Sequence, residues 1–292
     1  MKKITYNNHG LSLILILVVS FFISCEKDIT VDLPVPEEKL VIEGYINPGS
    51  PAYVFISKTA PFFAPVDSAT LVSYAIKDAI VTVSDGINTD TLVAPLTDLG
   101  YLYISPNITG EIGKTYFLKV ETADGKIATA VTQIFNPVPL DSVWFKVQEG
   151  LDTLGWTWAR LSDPGSPGNC YRWFAKRLGK DDDFIAPIGS VIEDKFFNGL
   201  TFDFAYNRGS VPNSNAEDDN NEEEGYFKIG DTIVVKYATI TKESFDFWRS
   251  AETQASSNGN PFGSPAPLKS NIEGAIGIWE GFSYTFDTVV AN

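Results

Sequence analysis

The chain has 292 residues, 37 acidic against 22 basic, a formal net charge of −15 and one histidine. So acidic a surface excludes nucleic acid as a charge-driven partner and repels anionic lipid. Its 44% hydrophobic content is that of a protein that builds a packed core.

Lys2 and Lys3 precede an apolar run over residues 11–23 that ends at Ser24 and Cys25. A positive end, a short apolar core and a small residue before the cut are the parts of a secretory signal. The run falls short of the roughly 20 apolar residues that a membrane-spanning helix needs. Phe22, where lipoprotein signals usually carry Leu, is a loose fit. The expectation is a lipoprotein signal peptide over 1–24, with Cys25 lipidated. Acyl chains contribute about 0.8 kcal/mol per buried methylene, and more than one holds stably. Glu26, Lys27 and Asp28 follow as a charged export tag or an ordinary solvated tether.

Removing 24 residues from 292 leaves 268, with 20 basic against 37 acidic side chains, a net charge of −17. His9 leaves with the signal, so the processed chain has no imidazole. Ser-His-Asp, Cys-His and His-ligated metal chemistry are thereby excluded. With Cys25 acylated, Cys170 is the only other thiol, and no intrachain disulfide can form. A lone Cys in a strand, with no base nearby, reads as a buried inert thiol.

Residues 25–38, with Pro34 and Pro36, read as a tether. Short β-rich runs then alternate with Gly, Asp and Pro turns: 40–46, 52–56, 79–83, 91–93, 101–104, 115–120 and 127–134. That spacing predicts an immunoglobulin-like β-sandwich over 39–135. Asn136-Pro137-Val138-Pro139 reads as a boundary. A second β-rich domain is expected over 141–292, so the chain as a whole is mainly β. In it Leu154, Trp156 and Trp158 share one strand face, as do Tyr171, Trp173 and Ala175, and Phe202, Phe204 and Tyr206. One helix is expected near 242–255, capped by Thr241, with Phe245, Trp248 and Ala251 at helical spacing. The last runs, 275–279 and 282–286, read as closing strands.

Candidate sites are few. The acidic loop 217–225 has oxygen ligands for calcium, but it lacks an EF-hand spacing and reads better as a solvated excursion. Asp194, Asp203, Glu273 and Glu280 are candidate members of a carboxylate pair for glycoside hydrolysis, though nothing in the sequence pairs any two of them. No metal site and no cofactor are expected. Aromatic side chains are the better lead, because exposed Trp and Tyr stack on sugars or anchor protein partners; for any single one, core packing is the competing reading. The loop carrying Asn260, Pro261 and Phe262, together with Asn271, has little core to enter and reads as a partner contact. Asp followed by Ser or Thr and an apolar residue recurs, at Asp67, Asp90, Asp152, Asp231 and Asp287; turn-then-strand chemistry produces the same triplets as an O-glycosylation pattern.

The landmarks taken in order resemble the domain-of-unknown-function 4249 family of Bacteroidota outer-membrane lipoproteins. They are Cys25 to Asp28, Leu40 to Ile46, Gly113 to Tyr116, Asp163-Pro164, Asn169 to Trp173, Asp194 to Gly199, Gly230-Asp231, Phe245 to Trp248, Asn260 to Phe262, Ser270 to Ile272 and Gly277. Cys170 and Trp279 depart from the family's usual aromatic and Phe. The resemblance implies a lipid-anchored outer-membrane protein, often encoded beside a TonB-dependent transporter, and it transfers no catalytic residue. The functional expectation is a non-enzymatic binding or accessory subunit of such a transporter or another outer-membrane barrel. A carbohydrate-directed surface protein is the alternative.

Overall fold

The computed structural model describes residues 37–60, 68–97, 100–210, 225–257 and 267–292. The expected signal peptide, Cys25, the export tag, nearly all of the tether, the acidic loop up to residue 224, and Asn260, Pro261 and Phe262 lie outside the described residues.

Alternating apolar residues make most of the elements. In chain order they are β1 (Leu40–Ile46), β2 (Pro51–Lys58), α1 (Ser68–Tyr74), β3 (Ile80–Ser84), β4 (Thr89–Thr91), β5 (Leu96–Thr97), β6 (Gly100–Thr109), β7 (Thr115–Glu121) and β8 (Ile127–Gln133). Then come β9 (Ser142–Val147), β10 (Leu154–Ser162), β11 (Cys170–Arg177), β12 (Val191–Glu193), β13 (Thr201–Tyr206), β14 (Phe227–Lys228) and β15 (Thr232–Ile240). The long helix α2 (Lys242–Ser257) follows, and β16 (Ile272–Glu273), β17 (Ile276–Gly281) and β18 (Ser283–Val290) finish the chain. The protein is mainly β, as expected. Thr241 caps α2, its Oγ1 accepting the Ser244 N–H at 3.1 Å. The seven-residue α1 was not expected: no acidic residue marks its first turn and no basic one its last.

Two five-stranded sheets, ordered β17-β1-β2-β6-β5 and β16-β8-β7-β3-β4, form the first sandwich. Their inner faces meet in one buried cluster that includes Ile42, Val54, Val83, Leu118 and Trp279. The sandwich expected over 39–135 is therefore present, but its own segment does not complete it. β17 pairs parallel with β1, from Val41 opposite Ile276 to Ile46 opposite Gly281, and β16 pairs with β8. Gly44 lies opposite Trp279, where a Cβ would come within 2.7 Å of the indole Cε3. With no side chain there, Trp279 is fully buried and donates its Nε1–H to the Tyr116 carbonyl at 3.1 Å.

The second sandwich sets β9, β10, β13 and β14 against the sheet β12-β11-β15-β18. Leu161, Tyr171, Trp173, Phe227, Val235 and Tyr237 fill its core. Only Phe282 separates β17 from β18, so one short run serves the first sandwich and then the second. The proline segment between the two halves is pinned as well: the Val138 N–H donates to Thr239 Oγ1 at 3.0 Å, and Leu140 is buried in the second core. Residues Glu38–Asn292 accordingly cluster as one unit. Among the described residues, no helix is long and apolar enough to cross a membrane.

Candidate functional site

β10 turns its small residues inward and its large ones outward. Gly155, Thr157, Ala159 and Leu161 are buried, while Trp156 and Trp158 are only half-buried and Arg160 is exposed. The hairpin with β9 places Trp144 opposite Trp158 and Lys146 opposite Trp156. Trp144 stacks on Trp158 with centroids 6.3 Å apart and planes at 23°, and Trp156 on Tyr226 at 6.4 Å and 21°. Lys146 Nζ lies 5.2 Å from the Trp158 centroid. At the end of the row Arg160 grips Asp203 with two parallel bonds, Nε to Oδ1 at 2.6 Å and Nη2 to Oδ2 at 3.0 Å. That contact lowers the Asp203 carboxyl pKa. The indole N–H groups of Trp156 and Trp158 are enclosed and have no hydrogen-bond partner among the described residues. This row of near-parallel rings, with cations beside it, suits stacking and anchoring.

A second concentration of chemistry lies where β17 passes into β18. Glu280 of β17 is fully buried, and burial raises its carboxyl pKa against the opposing pull of Arg172 and the Trp248 indole. Trp248 of α2 donates Nε1–H to Glu280 Oε2 at 3.0 Å. The Arg172 guanidinium carbon is 3.5 Å from the Trp248 ring centroid and 4.7 Å from that of Phe174. Lys236 of β15 is ringed by Phe174, Phe184, Phe282 and Tyr284, at 4.2, 5.1, 5.6 and 5.7 Å. Burial, and then the charge of Arg172, bring the Lys236 amine down to about 8. Phe282 also meets Tyr45, which meets Tyr53, so ring contacts run from one sandwich to the other.

Of the residues expected to contact a partner, Asn271 is described. Its amide donates to the Trp279 carbonyl at 2.8 Å and accepts the Trp279 N–H at 2.9 Å, so it braces β17. It also lines an open cleft of about 600 Å³ together with Thr129, Gln133, Glu243 and Glu273.

The four candidate acids occupy four different settings. Asp194 accepts the N–H groups of Gly168 and Asn169 at 2.8 and 2.9 Å. Asp203 is held by Arg160, Glu273 lines the cleft, and Glu280 is inside the junction. None of the four is hydrogen-bonded to another among the described residues. Asp163 takes the Tyr171 hydroxyl at 2.6 Å and the Gly199 N–H at 3.0 Å. The stretch from Asp163 to Tyr171 is thus tied to the Asp194–Gly199 segment, distant in sequence, in one knot of braced loops. Cys170 is fully buried, which pushes its thiol up to about 12. Among the described residues, no group of three or more His, Cys, Asp or Glu side chains is arranged to hold a metal ion.

Trp144, Arg172 and Lys236 are the residues that sequence reasoning missed. A signal existed for Lys236, a lone charge inside the apolar strand Thr232–Ile240.

The family described as "Domain of unknown function (DUF4249)" matches residues 26–287, and the chain belongs to it. No protein of curated function matches the chain. A solved structure described as a cytokine receptor complex covers 86% of this chain and 96% of its own at 7% identity, with a TM-score of 0.25, a score from which no argument follows.

Proposed function

We propose that this member of the DUF4249 family is a binding or accessory subunit rather than an enzyme. In this reading it is held at the outer membrane by lipid on Cys25 and docks on an outer-membrane β-barrel such as a TonB-dependent transporter. The observation that carries it is the outward row Trp144, Trp158, Trp156 and Tyr226 on the β9–β10 sheet. Large aromatic residues outside a core are the residue types that dominate binding energy at protein interfaces. Fusion of the two sandwiches through β17 and β18 supports the reading, because a surface on a pre-organised body loses less entropy on docking.

The test is cross-linking in intact membranes followed by purification of the full chain. The expected catch is a β-barrel, lost when Trp156 and Trp158 are both changed to Ala. Recovery of free monomer alone sinks the proposal.

A carbohydrate-directed protein is the second reading, favoured by the near-parallel ring planes and by the Arg160–Asp203 pair beside them. Flat rings stack on the apolar faces of sugars, and a paired guanidinium and carboxylate offer hydrogen bonds to hydroxyls. A glycan array probed with the wild type and with Trp158→Ala separates the two: this reading requires a signal that the variant loses.

A further inference from the structure

Arg172 and Lys236 stand out because neither side chain forms a hydrogen bond or a salt bridge with any described residue. Buried polar groups are nearly always satisfied, and the exceptions call for an explanation. Arg172 is 9% exposed, with five N–H donors, and its Nε is fully enclosed without a partner. Its contacts are the faces of Trp248 and Phe174. Lys236 is half-buried, and its contacts are rings as well.

The register explains how close the two charges are. Arg172 lies opposite Ala238, and Phe174 opposite Lys236, so the cations are diagonal neighbours on the same outer face of the β11–β15 pair. Like charges so placed repel. The nearest buried acid, Glu280, gives one oxygen to Trp248 and leaves Oε1 without a partner, and no ion pair joins it to either cation. Glu280, Glu252 and Glu43 all act on Arg172 through space, but among the described residues none lies within ion-pair distance of Arg172 or Lys236, so the donors of both cations are left without a direct acceptor. The surrounding rings lower the local dielectric and strengthen any anion contact made there. Arginine's planar fork also suits a carboxylate.

We propose that Arg172 and Lys236 form a binding site for the carboxylate of a small organic acid, with Trp248 and Phe174 as its apolar walls. The carboxylate comes from a free acid or from an acidic sugar, and Glu280 is its built-in competitor.

Calorimetry on the full chain tests this with three probes: benzoate, galacturonate, and the methyl ester of galacturonate. Saturable binding of benzoate and galacturonate, without the ester, supports the site for free acids and sugar acids alike. Binding of galacturonate alone supports a sugar-acid site. Arg172→Met should weaken affinity about tenfold or more. Lys236→Met, on a partly exposed position that leaves the core intact, should do the same, while Glu280→Gln should strengthen it by removing the competing charge. A merely structural role predicts no binding in any of these proteins. The proposal is overturned if folded wild type binds neither acid up to about 10 mM, if the ester binds equally, or if folded Lys236→Met and Arg172→Met bind as wild type does.

Discussion

β10 and β11 lie in opposite sheets of the second sandwich, and both carry aromatic residues at every second position. In β11 the aromatic set Tyr171 and Trp173 is completely buried. In β10 the aromatic set Trp156 and Trp158 faces out, and Ala159 and Leu161 enter the core instead. The lesson is that alternation fixes which residues share a face but leaves open which face is inside. Volume decides it here. Trp173 packs against Phe204 and Tyr206 across the core and against Tyr237 beside it in its own sheet, so little space remains for two more indoles from β10.

Mutation breaks or sharpens this contrast. Trp173→Ala should cost about 3–5 kcal/mol in denaturant unfolding, the range for truncating a buried aromatic. Comparable stability in wild type and variant would place Trp173 outside the core. Gly44→Ala, which pushes a methyl against the other fully buried indole, Trp279, should cost about 1–3 kcal/mol through overpacking. Trp158→Ala, on the outer face, should change stability by only about 0.5–1 kcal/mol, while Trp173→Ala and Gly44→Ala act chiefly on unfolding.

Charged groups divide in the same way. Burial pushes the Asp90 carboxyl up, but hydrogen bonds from Ser105, Asn107 and Ile108 outweigh it and hold the pKa at about 2. Its folded value lies below the unfolded one, so its contribution is present above about pH 4 and is lost as pH falls toward 2. Asp90→Asn should flatten the acid limb of a stability–pH curve. Asp203→Asn, at the exposed ion pair on the tryptophan face, should shift the unfolding curve least of all, and less still in high salt.

Much of the fold was legible. The short alternating runs marked the strands, and Thr241 with the spacing of Phe245 and Trp248 marked α2. The return of residues 272–281 to the first sandwich was not, because a parallel pairing between β1 and β17 leaves no local trace in either strand. The tryptophan row was half legible: period two grouped Trp156 with Trp158, but Trp144 joins them only through the β9–β10 register. The junction cations were hidden for a similar reason. Arg172, Lys236 and Glu280 stand in three strands and meet only when both sandwiches form.

The most direct test of the central claim is recovery of a partner, measured on proteins of equal stability. Full-length wild type and Trp156→Ala/Trp158→Ala are cross-linked in membranes, and unfolding curves are recorded on both. The account predicts near-coincident unfolding, an outer-membrane barrel captured by the wild type, and none captured by the double variant. Capture of the same barrel in equal yield by the folded double variant would contradict it.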